Sequence, residues 1–378
     1  MVECISMKQI SIPTRREYIE RQRREKDWRI FGVFPAFVPK ELFWASHVLP
    51  VEIWDPPLTT TESNAHLQPY ICSVVKLGME ALLQGYGRDL DGLLFPHTCD
   101  SIQNMASMVH DFMDLSLPCH FFYHPKAPYT EASKWFLRGH LQDLATGLMG
   151  GDDSENRGSE MSPEILRPWV DQGREIHALL AELYAIRASG RLNVSNACFY
   201  EKVRMGEYLL PEDYQGVLSS LLENDRGAKH DGPVVFLSGI LPSPREILVL
   251  LDDLGVRVGD DDLLACGRRF KVQTPVGENP WDALVEGYFS MPPCSTRGSL
   301  VQDRADYLLE AVERCGAVGV IFLMVKFCEP ELFDVPQLTR ILKDAGLSTL
   351  VLDCEVNQAL SGQLATRIEA FVETMRSR

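Results

Sequence analysis

Residues 31–54 read FGVFPAFVPKELFWASHVLPVEIW. A short apolar run leads into a Pro-containing loop, Pro-Lys-Glu opens an apolar helix, and a second apolar run follows. The same plan is written again at 235–260, VFLSGILPSPREILVLLDDLGVRVGD. Pro39 and Pro244 suit the first turn of a helix, where a missing N–H costs nothing. Glu41 and Glu246 then face the positive end of each helix dipole.

The parallel continues downstream. In the first half YICSVVKLGMEALLQG (70–85) precedes LDGLLFPHTCDS (90–101), and in the second PPCSTRGSLVQDRADYLLEAVERCG (292–316) precedes AVGVIFLMVKFCEP (317–330). Each half thus supplies Cys-Ser at a helix start (Cys72, Cys294) and a cysteine at a strand end (Cys99, Cys328). The shared order argues for a duplicated unit. Strands alternating with amphipathic helices predict parallel sheets covered on both faces, so the expected fold is α/β, with two similar flavodoxin- or Rossmann-like parallel-sheet domains. In such folds ligands sit beyond the carboxyl ends of the strands. TLVLDCEV (349–356) and QLATRIEAFVETM (363–375) complete the second sheet as a strand and a helix.

Between the halves, GLMGGDDSENRGSEMS (147–162) reads as a linker, and Ser162-Pro163-Glu164 starts a long periodic helix. The expected division is an N-terminal helical segment at 1–29, a first α/β domain at 30–150, a helical subdomain at 160–225 and a second α/β domain at 230–378.

The chain has 378 residues, 45% of them hydrophobic and 24% charged, which suits two domains of ordinary size. A net charge of −16 opposes a nucleic-acid or anionic-membrane partner. The basic stretch RREYIERQRREKDWR (15–29) is interleaved with Glu17, Glu20, Glu25 and Asp27, as in a solvated helix with i,i+4 pairs. No apolar run approaches the roughly 20 residues of a membrane span, and the first residues lack the apolar core of a secretory signal. The expected location is the cytoplasm, where thiols stay reduced. The ten cysteines are then core residues, catalytic thiols or metal ligands rather than a disulfide framework. Cys4 stands in a terminus expected to be disordered, and Cys119, Cys198, Cys315 and Cys354 sit in apolar contexts that suit a core.

No C-x-x-C occurs, nor a P-loop, a G-x-G-x-x-G after a strand, or a nucleophile elbow. The residues alone leave open unliganded core cysteines, an iron–sulfur cluster held by distant thiolates, zinc, and thiol catalysis.

LQPYICSVVKLGMEALLQGYGRDLDGLLFPHTCDSIQN and GVIFLMVKFCEPELFDVPQLTRILKDAGLSTLVLDCE resemble the iron–sulfur subunits of 2-hydroxyacyl-CoA dehydratases and class I benzoyl-CoA reductases. PAFVPKELFWASHVLPVEIW and GQLATRIEAFVE share the likeness, which is weakest in the helical middle. The resemblance implies that Cys72, Cys99 and Cys328, in Pro-x-x-Cys-Ser, Thr-Cys-Asp and Phe-Cys-Glu-Pro segments, hold a [4Fe–4S] cluster with one iron open. It further implies an acyl-CoA substrate, a separate activator that hydrolyses ATP and delivers the electron, and a homologous cluster-bearing subunit, so that the assembly is a heterodimer or homodimer. The implied reaction is elimination of a hydroxyl from a 2-hydroxyacyl-CoA or reduction of an unsaturated or aromatic acyl-CoA. Two alternatives stand beside it: a double-cubane reductase of small molecules, for which Cys294 and Cys266 are the additional ligands, and a non-catalytic partner subunit. By position in the family pattern, Ser46, His47 and Glu52 become pocket residues, with His47 as a proton donor or a hydrogen-bonded histidine at a helix end. Asp100, Ser101 and Glu329 are helix caps. Lys76 and Lys326 either lower thiolate pKa values and screen the cluster or lie on the surface.

Overall fold

The computed structural model describes residues 14–377 except 114, 116, 151–159, 225–226, 228–230 and 278. Cys4 and the centre of the linker lie outside the described residues. The first unit comprises α1 (Arg15–Lys26), β1 (Arg29–Val33), α2 (Lys40–Ala45), β2 (Val48–Glu52), α3 (Ser73–Leu83), β3 (Gly92–Pro96), α4 (Asp100–Phe112), β4 (Cys119–Phe122) and α5 (Glu131–Met149). Three helices follow: α6 (Pro163–Ala188), α7 (Asn196–Arg204) and α8 (Pro211–Asn224). The second unit comprises β5 (Val234–Gly239), α9 (Arg245–Asp253), β6 (Arg257–Leu263), α10 (Gly267–Phe270), α11 (Pro280–Ser290), α12 (Val301–Cys315), β7 (Gly319–Val325), α13 (Glu329–Asp344), β8 (Ser348–Cys354) and α14 (Gly362–Arg376).

The two sheets have the same order, β2-β1-β3-β4 and β6-β5-β7-β8, and every pairing in both is parallel. The fold is α/β and doubled. In β7, Ile321, Leu323 and Val325 enter the main core while Val320, Phe322 and Met324 enter a second cluster on the opposite face. That period-2 split is why the strand reads as an unbroken apolar run: both of its faces are covered by helices. In each sheet the chain leaves the first strand in one direction, then returns to pair on its other side, so a crevice opens at the carboxyl ends of β1/β3 and again of β5/β7. At the second crevice Gly239 has φ 139°, and a Cβ there would meet the Leu323 carbonyl oxygen at 2.2 Å. Only glycine permits that approach of two backbones.

Three details differ from the expected pattern. Pro39 and Pro244 are the residues before the helices rather than members of their first turns, although Glu41 and Glu246 do occupy those turns. Cys294-Ser295 opens a single 3₁₀ turn, and α12 starts only at Val301, because Gly298 takes a left-handed conformation (φ 72°) that ends the turn. β4, a four-residue strand, completes the first sheet at its edge, and its Cys119 is half-buried there rather than in the core. Cys198, Cys315 and Cys354 are buried.

Helix α1 is solvated, with a Thr14 capping box and an Arg16–Glu20 pair at 2.8 Å. Helix α6 packs against α2 of the first unit and against β6 and α11 of the second. Among the described residues no helix is long and apolar enough to cross a membrane.

Candidate functional site

The crevices acquire their chemistry from where the strands stop. Cys99 lies three residues past the end of β3, Cys328 three residues past the end of β7, and each is the residue on which the next helix begins. Cys72 likewise precedes α3. The carbonyls of all three accept the first helical hydrogen bond, from Lys76, Gln103 and Leu332. Each sulfur therefore stands at the positive end of a helix dipole.

Burial is the largest influence on these thiols and pushes all three pKa values up, Cys72 to about 12. They also act on one another: charge on Cys99 opposes ionisation of Cys72, and charge on either opposes ionisation of Cys328. First-turn amides work the other way, those of Val74 and Val75 on Cys72, Ser101 and Ile102 on Cys99, and Glu331 on Cys328. Cys119, Cys315 and Cys354 instead donate to the carbonyls of Leu117, Val312 and Leu352, as neutral structural thiols do. Cys72, Cys99 and Cys328 thus differ from these three thiols, and the action of charge on one upon another puts them at one mouth between the halves.

Several residues that sequence reasoning missed hold that mouth. Ser73 Oγ donates to Glu355 Oε2 at 2.6 Å, and Lys326 Nζ pairs with Glu355 Oε1 at 3.0 Å. Lys326, expected to act on the cluster or lie on the surface, is exposed and tied to the end of β8, while Lys76 donates to the Pro69 carbonyl. Lys126 Nζ donates to the carbonyls of Thr98 and Thr296, joining the Cys99 loop to the Cys294 turn. Burial lowers its pKa, whereas charge on Cys99 or Cys294 would raise it. Asp100, Ser101 and Glu329 lie in the first turns of α4 and α13, inside the helices rather than before them.

Cys294 is fully buried, 3.4 Å from Arg268 Nη1 and 3.1 Å from Thr296 Oγ1. Arg268 belongs to a buried ion network with Asp262 (2.9 Å) and Glu331 (2.6 Å), which Arg304 joins by bonding Glu331 (3.1 Å) and Asp334 (2.6 Å). Burial opposes the charge on Glu331, but Arg268 and Arg304 hold its carboxyl well below the usual range. The network fixes the first turn of α13, and with it Cys328. Cys266 lies elsewhere, its strongest electrostatic neighbours being Asp261, Arg204, Arg269 and Glu207.

The three pocket residues expected from family position separate. Ser46 and His47 lie before β2, at the amino end of the first sheet, so the five residues of β2 set them roughly 16 Å from its carboxyl end. Ser46 Oγ donates to the Leu42 carbonyl, and His47 stacks on Trp28 at 4.2 Å with its Nε2 beside the Lys26 carbonyl. The structure does not bring either to the cysteines. Glu52, at the carboxyl end, is buried between Arg269 (2.6 Å), Lys40 (2.5 Å) and Trp54 Nε1 (2.6 Å). Burial would raise its pKa, but Arg269 and Lys40 bring it down to about 2. It joins β2 to α10 across the two units.

Among the described residues no three His, Cys, Asp or Glu side chains are grouped for a single metal ion. The arrangement is one of separate thiols around a mouth, each with its own helix start.

The family model described as 2-hydroxyglutaryl-CoA dehydratase, D-component, matches residues 35–375, which spans the second sheet, the first sheet apart from β1, and every one of these cysteines. The chain belongs to the 2-hydroxyglutaryl-CoA dehydratase D-component family. As a D-component family member it is 25% identical over 380 residues to the (R)-phenyllactyl-CoA dehydratase beta subunit of Clostridium sporogenes, with 95% of each chain covered. It is 24% identical over 349 residues to the beta subunit of the lactoyl-CoA dehydratase of Anaerotignum propionicum, with 91% of each covered. One of the subunits of the benzoyl-CoA reductase of Thauera aromatica is 25% identical over 332 residues, with 84% of each covered. D-component relatives thus include subunits of both dehydratases and a reductase.

Proposed function

We propose that this chain is the iron–sulfur subunit of an acyl-CoA dehydratase or reductase, with Cys72, Cys99 and Cys328 as the ligands of one [4Fe–4S] cluster. The observation that carries this reading is the placement of three thiols at helix starts, two from the first half and one from the second, near enough that charge on Cys72 and Cys99 acts on Cys328. A cube takes one thiolate per iron at separate corners, a demand unlike that of a single ion. When bound, such a cluster supplies low-potential electrons and one iron not tied to protein, suited to a substrate oxygen.

This chain's own residues do the rest. Cys72 is buried and Cys99 and Cys328 are half-buried, the helix starts favour their anionic forms, and Lys126 places a cation beside the Cys99 loop. Glu355 and the Arg268–Glu331 pair hold the Cys72 and Cys328 loops in register. Cys294, engaged by Arg268 and Thr296, and Cys266, among other charged groups, favour one cube over two.

The substrate in this reading is a CoA thioester, and the electron comes from an ATP-hydrolysing activator in the cytoplasm. The enzyme is completed by a second, homologous chain that bears its own cluster. Near the mouth, Tyr70 and Phe333 are 57% and 80% exposed, apolar surface suited to a protein partner.

The test is anaerobic reconstitution with iron and sulfide. About four irons per chain are expected, with Cys72→Ala, Cys99→Ala and Cys328→Ala each losing the cluster and Cys315→Ala retaining it. A wild-type chain that takes up no iron, or a Cys72/Cys99/Cys328 triple variant that keeps it, overturns the reading. About eight irons would favour the double-cubane alternative.

A further inference from the structure

Lys126 is held by both halves of the fold. Its Nζ donates to the Thr98 carbonyl at 2.9 Å and to the Thr296 carbonyl. The Thr98 carbonyl belongs to the peptide that joins Thr98 to Cys99. Next along the chain, the Ala127 N–H donates to the Arg297 carbonyl at 2.8 Å. Gly298 lies against the same segment, since a Cβ there would stand 3.5 Å from Lys126 Cβ. Arg297 is itself 1% exposed and donates to the Tyr288, Met291 and Pro292 carbonyls. The ammonium is therefore fixed by its surroundings, where a surface lysine would swing on its flexible stem.

The lysines near the thiols differ in what neutralises them. Lys326 pairs with the Glu355 carboxylate at 3.0 Å, which largely cancels its charge. Lys76 makes a 2.8 Å bond to the Pro69 carbonyl and comes last among the groups that act on Cys72. Lys126 bonds two neutral carbonyls, which orient an ammonium without cancelling its charge. Cys99 comes first among the charged groups that act on it, ahead of Cys294 and Asp100.

We propose that Lys126 is a positioning residue for the iron–sulfur cluster: its fixed ammonium, beside the Cys99 loop, makes the cube easier to reduce. The inference rests on the iron–sulfur reading and adds to it the residue that tunes electron affinity. Reduction adds one electron and breaks no bond to the protein, so the reduced form is more negative by one charge. A fixed cation stabilises that form over the oxidised one. Net charge and hydrogen bonding are among the levers that set such potentials. Lys76 and Lys326, for the reasons above, contribute less.

The test is a redox titration of the reconstituted chain with Ti(III) citrate, which gives one electron and becomes Ti(IV), followed by electron paramagnetic resonance. Lys126→Met should take up the same iron but reduce at a lower potential, by about tenfold in the one-electron equilibrium, or about 59 mV. Lys126→Gln, which keeps an amide donor for the carbonyls, should shift the same way. Lys126→Arg keeps the charge and should stay near wild type, and Lys76→Met should shift less than Lys126→Met. An unchanged midpoint in both neutral variants overturns the proposal. So does a Lys126→Arg midpoint as low as that of Lys126→Met, or a Lys76→Met shift that equals it. Failure of both neutral variants to take up iron makes Lys126 an assembly residue and overturns the proposal as well. A wild-type chain that takes up no iron removes the cluster reading itself, so the two failures are distinguishable.

Discussion

Ser73 Oγ donates a 2.6 Å hydrogen bond to Glu355 Oε2 across 282 positions of sequence. Ser73 follows Cys72, Glu355 follows β8, and Lys326, two residues before Cys328, takes the other carboxylate oxygen. One carboxylate therefore couples the cysteine loop of the first half to that of the second.

Glu355→Ala should loosen that coupling more than it lowers global stability. The carboxylate is partly exposed, so its loss should cost on the order of 1 kcal/mol in denaturant unfolding. Burial raises its pKa, but Ser73 and Lys326 lower it further, for a net depression. Its contribution is present above the ordinary carboxylate pKa and fades as pH falls through the lower folded value. The measurable result is faster loss of iron to a chelator from the reconstituted variant, with no change in the cysteines themselves.

Glu52→Gln should be far more damaging, because it leaves Arg269 and Lys40 buried without their counter-ion. Breaking a buried pair from one side costs about 3–5 kcal/mol. Wild-type protein holds Glu52 down to about 2, so its stability should decline as pH drops from about 4.3 toward that value. Urea midpoints measured from pH 7 to pH 2 should show this acid limb in wild type and a flatter one in Glu52→Gln.

His47→Gly should leave iron content and turnover as they are. The residue stacks on Trp28 at the amino end of the sheet and holds a left-handed φ of 57°. Glycine gives up the stack, worth about 0.5–1.5 kcal/mol, but relieves the backbone. His47→Ala loses the stack without that relief and should melt lower than His47→Gly. A reversed order of melting temperatures would contradict this account.

Gly239→Ala should be poorly folded. The added methyl would enter the Leu323 carbonyl oxygen at 2.2 Å on a backbone few L-residues adopt. A loss of more than about 2 kcal/mol is expected, from overpacking and strain together, and thermal unfolding monitored by circular dichroism would register it. Gly316→Ala, where nothing lies within 4 Å but φ is 66°, isolates the backbone component and should cost less.

Much of this molecule is legible along the chain. Apolar runs such as GVIFLMV, repeated Pro-Lys/Arg-Glu helix starts and strand-end cysteines determine local elements, and their recurrence determines a doubled parallel α/β fold. Even the placement of Ser46 and His47 was readable: residues between a helix and the next strand lie at the amino end of a parallel sheet, while those between a strand and the next helix lie at the carboxyl end. Family position obscured that rule. What no local pattern contains is the partner of each polar side chain. Glu355 with Ser73, Lys126 with Thr98 and Thr296, and Arg268 with Cys294 and Glu331 are contacts between segments far apart in sequence. Periodicity sets which face of an element is buried, because burial depends on a residue's own side chain and its neighbours one turn or two residues away. Which charge meets which depends on how the helices and sheets pack, and only the tertiary structure decides that.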